Sequence, residues 1–185
     1  METFIVSIPY SHTEKSSRVN RLGVTDVIVK LTADNGLVGW GESCSGADVK
    51  SVEQAVLSAK PYVIGKDPWQ LDAIYNDYMK KGLWDFRPMT AQFAFVGIDQ
   101  ALWDLCGKEA GQPVYKFFGG AMRVSVNYFY YLSHSSVEEM ERQCRDGLDK
   151  GYSVFYLKTG IDRKTEDELL SVILGRDYAE ISYVM

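Results

Sequence analysis

Lys158 ends a short β-branched and aromatic run, Val154, Phe155, Tyr156 and Leu157, bounded by Gly151 and Gly160. Such a run between turn residues reads as a buried strand. A charged side chain at the C-terminal end of a buried strand stands where α/β barrels keep their chemistry. A free lysine titrates near ~10.4, so it becomes a base only where burial or a nearby cation lowers that value. The competing reading is a lysine that leaves the strand and snorkels to water. A second group of chemically able residues lies between Tyr10 and Gly23, which carries His12, Glu14, Lys15, Arg18, Asn20 and Arg21. No helical or strand period runs through it, so it reads as a mobile loop. At about 14 residues it is long for a compact domain, as lids and binding loops are. A plain solvated connection fits it equally well.

The bulk properties narrow the chemistry. The chain has 185 residues, 46% hydrophobic and 24% charged, which is ordinary for a globular protein. Its net charge of −5 argues against a nucleic-acid groove or an anionic membrane surface. No apolar stretch approaches the roughly 18 residues of a membrane span, and the start at Met1 lacks the basic and apolar regions of a signal peptide. Cys44, Cys106 and Cys144 are odd in number and widely spaced, as expected of reduced thiols in the cytoplasm. With only His12 and His134 present, a histidine-rich metal site is excluded.

The elements that must position Lys158 fall into two patterns. Phe4 to Ile8 reads as a first strand closed by Pro9. Thr25 to Thr32 and Leu37 to Glu42 are two strands joined by Asp34, Asn35 and Gly36, a strong hairpin turn. Helices follow from about Asp48 to Ile64, interrupted late by Pro61, then from Trp69 to Lys80 and from Thr90 to Cys106. The third is apolar on most sides and should be central. Within these elements Trp40, Glu42, Asp99 and Asp104 read as structural. Gly119 and Gly120 mark a domain boundary, giving residues 1–120 and 121–185. After it come a strand from Val124 to Tyr131, a helix capped by Ser135 or Ser136, the latter with Glu139 at capping-box spacing, and the Lys158 strand. A helix capped by Thr165 and a last strand from Ala179 to Val184 complete the rhythm of a parallel α/β fold. A closed eightfold barrel takes about 250 residues, so 121–185 would be only its beginning.

These segments resemble a known family. Val27 to Glu42, with Asn35 and Gly36 at the turn and Gly39, Trp40 and Gly41 after it, is similar to a hairpin of the mandelate racemase/muconate lactonizing enzyme group of the enolase superfamily. Ala94 to Gly120, with Gly97, Ile98, Asp99, Gln100, Ala101, Leu102, Trp103 and Asp104, resembles that group's helix and its run into the barrel. Gly151 to Gly160 resembles its second barrel strand. The resemblance implies an α+β capping domain, a three-stranded antiparallel sheet plus helices, followed by the first βα units of an incomplete (β/α) barrel.

It also implies a chemistry. The family's second barrel strand ends in Lys-x-Lys, and Lys158 matches the second lysine, the acid/base that moves the proton α to a carboxylate. Tyr156 stands where the first lysine is usual and adds no positive charge. The cap loops close over substrate, so Tyr10, His12, Arg18 and Arg21 join Tyr156 as expected substrate-binding residues. The enediolate is stabilised by Mg²⁺ on acids from barrel strands three to five. Ile181 to Met185 carries no acid for the first ligand position, and Asp177 and Glu180 stand early for it. The expectation is a Mg²⁺-dependent racemase, epimerase, cycloisomerase or dehydratase of a small carboxylate, homo-oligomeric. This stretch of it would lack the metal ligands and be inactive alone. The alternatives are a non-catalytic protein that self-associates through an open barrel edge, and an unrelated two-layer α+β binding module.

Overall fold

The computed structural model describes residues 1–15, 19–44, 48–81, 90–174 and 182–184. Arg18 and the acids Asp177 and Glu180 lie outside the described residues. The chain forms two compact units, one of Met1–Ile8 and Val24–Met122, the other of Pro9–Gly23 and Arg123–Met185.

A three-stranded antiparallel sheet of β1 (Glu2–Lys15), β2 (Asn20–Thr32) and β3 (Val38–Ser43), in that order, underlies the first unit, the distal ends of β1 and β2 within Pro9–Gly23 belonging to the second. Asn35 and Gly36 make the β2–β3 turn. Gly36 takes φ 85°, Asn35 Oδ1 accepts the Leu37 N–H at 3.0 Å, and the register runs from Thr32 opposite Val38 to Val27 opposite Ser43. Alternation then buries Val27, Val29 and Leu31 on one face. Against them pack α1 (Val49–Ser58), α2 (Lys60–Val63), α3 (Leu71–Lys81) and α4 (Thr90–Glu109) in one core. Asp48 caps α1, taking the Ser51 N–H at 3.0 Å. The α1 helix stops at Ser58 and α2 restarts with Pro61 in its first turn, as a residue without an N–H allows.

The apolar α4 is central, and β3 lies directly on its backbone. A Cβ on Gly41 would fall 2.0 Å from the Gly97 carbonyl oxygen, and one on Gly39 2.1 Å from that of Ala101. Only glycine lets strand and helix approach so closely. Asp104 reinforces this contact, accepting the Trp40 N–H at 2.9 Å and the Lys108 ammonium at 2.6 Å.

The second unit alternates β4 (Tyr130–Leu132), α5 (Val137–Asp149), β5 (Val154–Leu157), α6 (Arg163–Leu174) and β6 (Ser182–Val184). The strands form one parallel sheet in the order β4-β5-β6. Leu132, Met140, Cys144, Phe155, Leu157 and Leu169 are its core. Ser136 caps α5 through the Glu139 N–H. At α6 the cap is Asp162, which takes the Lys164 N–H at 3.2 Å and the Thr165 hydroxyl, so the expected Thr165 cap is corrected by one turn's start.

Two further expectations are corrected. The expected loop over Tyr10 to Gly23 is strand over its described parts 10–15 and 20–23: β1 continues through Pro9 to Lys15 and β2 begins at Asn20. Backbone pairing needs no apolar side chains, and most of this stretch is exposed on both faces, so no alternation marked it. Pro9 is tolerated because β1 is an edge strand. Conversely, the strand read over Val124–Tyr131 shrinks to Tyr130–Leu132, since Val124, Val126 and Tyr128 are exposed and unpaired with a neighbouring strand.

Candidate functional site

Alternation along β5 creates a buried and an open face. Phe155 and Leu157 point into the core with α5 and α6, which leaves Tyr156 and Lys158 in register on the opposite side. There the Tyr156 ring stacks on Tyr131, with centroids 5.5 Å apart and planes 27° apart, and meets Phe129 at 5.1 Å. The Lys158 ammonium lies 6.0 Å from the Tyr131 ring centroid, within reach of its π-face. Lys158 thus ends a strand beside an aromatic floor.

The arm formed by residues 9–23 belongs to the same unit and docks at this strand end. Glu14 Oε1 accepts the Lys158 ammonium in a short hydrogen bond, and Glu14 Oε2 stands 3.9 Å from Arg21 Nη1. One residue earlier, the Thr13 carbonyl accepts the Ser133 hydroxyl. Ser133 is itself fixed by Gln143, whose Oε1 takes the Ser133 N–H at 2.8 Å while its Nε2 donates to the Ser133 carbonyl at 3.2 Å. The Glu14 hydrogen bond holds Lys158 above its ordinary value; burial pulls the other way, and the Tyr131 and Glu14 charges add to the rise. At neutral pH the lysine is therefore an ammonium, a proton donor. Burial pushes the Tyr131 phenol up, with Lys158 opposing.

Of the residues expected to meet substrate, Tyr156 and Arg21 lie in this cluster, Arg21 through Glu14. Tyr10 is on the arm, near enough to Tyr131 to affect its phenol. His12 is exposed, its Nε2 3.4 Å from Ser11 Oγ.

Sequence reasoning did not single out the groups that brace the strand end. Glu166, buried at the start of α6, accepts N–H groups of Gly160 at 3.0 Å, Ile161 at 2.9 Å and Asp162 at 3.2 Å. Burial pushes its carboxyl up, but the three amides and His134 outweigh that and hold it below the usual range. His134 is buried beside it, Nε2 3.4 Å from Glu166 Oε1 but outside hydrogen-bond geometry. An acid in a first helical turn was a readable signal for Glu166. Nothing in the order of residues pairs Glu14 with Lys158, 144 positions apart.

Mg²⁺ needs a set of converging oxygen ligands. Among the described residues no three His, Cys, Asp or Glu side chains converge, and Glu14 is already engaged by Lys158 and lies near Arg21. The described residues therefore do not fit the metal, and no step below runs through it. No helix among them is long and apolar enough to cross a membrane.

The comparisons agree with this architecture. The D-galactonate dehydratase of Pectobacterium atrosepticum is 32% identical over 131 residues, 71% of this chain and 34% of that protein. The D-galactonate dehydratase of Xanthomonas oryzae pv. oryzae is 30% identical over 146 residues, 79% of this chain and 38% of that protein. Among solved structures, the L-Ala-D/L-Glu epimerase of Bacillus subtilis superposes with a TM-score of 0.86 at 26% identity, over 98% of this chain and 51% of that one. The fold also matches a dipeptide epimerase from Enterococcus faecalis, complexed with Mg and the dipeptide L-Leu-L-Tyr, with a TM-score of 0.87 at 20% identity over 98% of this chain and 51% of that one. The chain thus covers little more than a third of these dehydratases and about half of these epimerase chains. The sequence profile of the mandelate racemase / muconate lactonizing enzyme N-terminal domain matches residues 2–119, and the chain belongs to that family.

Proposed function

We propose that this chain is the N-terminal part of an enzyme that moves the proton α to the carboxylate of a small acid, with Lys158 as its acid/base residue. The observation that carries the reading is the position of Lys158: one residue past a parallel strand, on the face turned away from the helices, within reach of the Tyr131 ring that stacks on Tyr156. The similarity to D-galactonate dehydratases and to an amino-acid dipeptide epimerase supports a hydroxy or amino acid carboxylate as substrate class. Both would begin with loss of the α-proton. Arg21, Tyr10, His12 and Arg18 of the arm and Tyr156 of the floor are the proposed substrate contacts, with residues 1–120 as the cap.

Bound Mg²⁺ would supply polarisation of the substrate carboxylate in the complete enzyme. The residues described here supply the lysine, the aromatic floor and the arm, but no acid set for the metal. The 185-residue chain alone is therefore expected to be inactive. The test is exchange of the α-proton with D₂O in Mg²⁺, using D-galactonate and L-Ala-L-Glu. It is run on the protein purified from its source, on its Lys158→Ala variant and on the 185-residue chain. Exchange by the first alone supports the reading. Exchange that survives Lys158→Ala removes the lysine from the chemistry. Absence of exchange throughout, with concentration-dependent assembly in sedimentation, favours a non-catalytic protein that associates through its sheet edge.

A further inference from the structure

Glu14 is the one acid of the arm that reaches the strand end. Ser11, His12 and Lys15 around it are exposed, whereas its own side chain is only 16% exposed. Its two oxygens face two different cations: Oε1 takes the Lys158 ammonium and Oε2 lies 3.9 Å from the Arg21 guanidinium. The space between Lys158 and Arg21 is thus a slot for one carboxylate, and the chain fills it with its own. Two positive charges facing one negative charge leave the slot attractive to anions even while it is filled. Exchanging Glu14 for another carboxylate leaves that balance unchanged, so the exchange costs little electrostatically.

We propose that Glu14 is a positioning residue of this site: its carboxylate occupies Lys158 as a resident counter-ion, and a small carboxylate ligand reaches the lysine only by displacing it. The inference rests on the reading of Lys158 as the acid/base residue and deepens it by assigning the arm a chemical task. With Glu14 seated, Lys158 keeps its proton and is a donor. When Glu14 leaves, Arg21 remains to meet the ligand carboxylate, and Lys158 is released toward its ordinary value with Tyr131 and Tyr156 as its titratable neighbours among the described residues. Beyond Glu14, an anchor of the arm on the strand end among the described residues is the Thr13 carbonyl, which accepts the Ser133 hydroxyl.

The experiment needs no turnover. The 185-residue chain is labelled uniformly with ¹³C and ¹⁵N, the Lys158 signal is assigned with Lys158→Arg, and its titration is followed by NMR. Glu14→Gln keeps the size and the hydrogen bond but removes the charge; Glu14→Asp keeps the charge. The expected result is a lower Lys158 midpoint in Glu14→Gln and a return toward wild type in Glu14→Asp. Glycolate, as the probe, is expected to move the Lys158 signal and the Glu14 amide along one saturation curve in wild type. It should bind Glu14→Gln severalfold more tightly, since no resident carboxylate competes. An unchanged midpoint in Glu14→Gln overturns the proposal. So does glycolate that binds both proteins equally or leaves the Lys158 and Glu14 signals in place. The wild-type titration decides the question if Glu14→Gln does not fold. Displacement in the 185-residue chain with no α-proton exchange by the protein purified from its source sinks the catalytic reading alone; exchange by that protein without displacement sinks this inference alone.

Discussion

Gly41→Ala is the sharpest probe of how the first unit is assembled. The added Cβ would lie 2.0 Å from the Gly97 carbonyl oxygen, 2.9 Å from the Ala101 nitrogen and 2.9 Å from Gln100 Cβ. Ordinary contact begins at 3.4 Å, so β3 and α4 must separate by 3.4 − 2.0 = 1.4 Å. The obstacle is helix backbone, so no rotamer change relieves it. Overpacking of this kind costs about 3 kcal/mol. Separation also breaks the 2.8 Å hydrogen bond from buried Ser43 Oγ to the Ala94 carbonyl, adding about 1 kcal/mol. The expected loss is about 4 kcal/mol, or roughly 20 °C in Tm for a domain of ~100 residues. Gly65→Ala is the control: nothing lies within 4 Å of its Cβ position, and only its φ of 77° opposes alanine, at about 1 kcal/mol. Thermal and urea unfolding by circular dichroism reads both. If Gly41→Ala melts within about 3 °C of wild type, or if Gly65→Ala is the more damaging, the close approach of β3 and α4 is refuted.

Three other outcomes are expected. Burial pushes the Cys106 and Cys144 thiols up to about 11, whereas Cys44 is exposed. At pH 8 Ellman's reagent should therefore modify Cys44 first and reach the other two only after denaturation; equal rates would contradict their burial. Glu166 has a folded value held below its unfolded 4.5, so its contribution to stability is present above that pH and lost as pH falls through the folded value. Glu166→Gln should lower stability at pH 7 by about 2 kcal/mol and flatten the pH dependence below pH ~4.5, measured by urea unfolding across pH 3 to 7. Asp104→Ala removes the acceptor of the Trp40 N–H and should cost about 1 kcal/mol, with quenching of Trp40 fluorescence changed in the folded protein.

What could be read in advance depended on whether a residue acts through its neighbours in the chain. Asn35 and Gly36 make their turn by backbone conformation, Asp48 and Ser136 cap the helices that begin beside them, and all were legible. The buried runs of α4 and β5 were legible because burial leaves a compositional trace. The arm left none: Val19 is 50% and Leu22 75% exposed, so its ladder is backbone pairing that side chains do not report. The run from Val124 shows the reverse error. Its strand-forming residues find no partner strand, and propensity without a partner does not make a strand. At the site, Lys158 was visible from its place at a strand end. Its counter-ion was not, because the arm that carries Glu14 reaches it only through the folded unit.

The division of labour around Lys158 has an evolutionary consequence. The platform is locked by internal bonds: Gln143 holds Ser133, and Glu166 gathers three amides of the turn that follows β5. The arm grips that platform through a main-chain carbonyl at Thr13, which any residue type supplies, and through the Glu14 carboxylate. Exposed positions of the arm such as Ser11 and His12 can therefore drift without eroding the scaffold. Such an arrangement favours diversification by exchange of a single short module, with one acid retained and the rest rewritten. Grafting residues 9–23 between relatives should transfer ligand preference while leaving the melting behaviour of the parent intact.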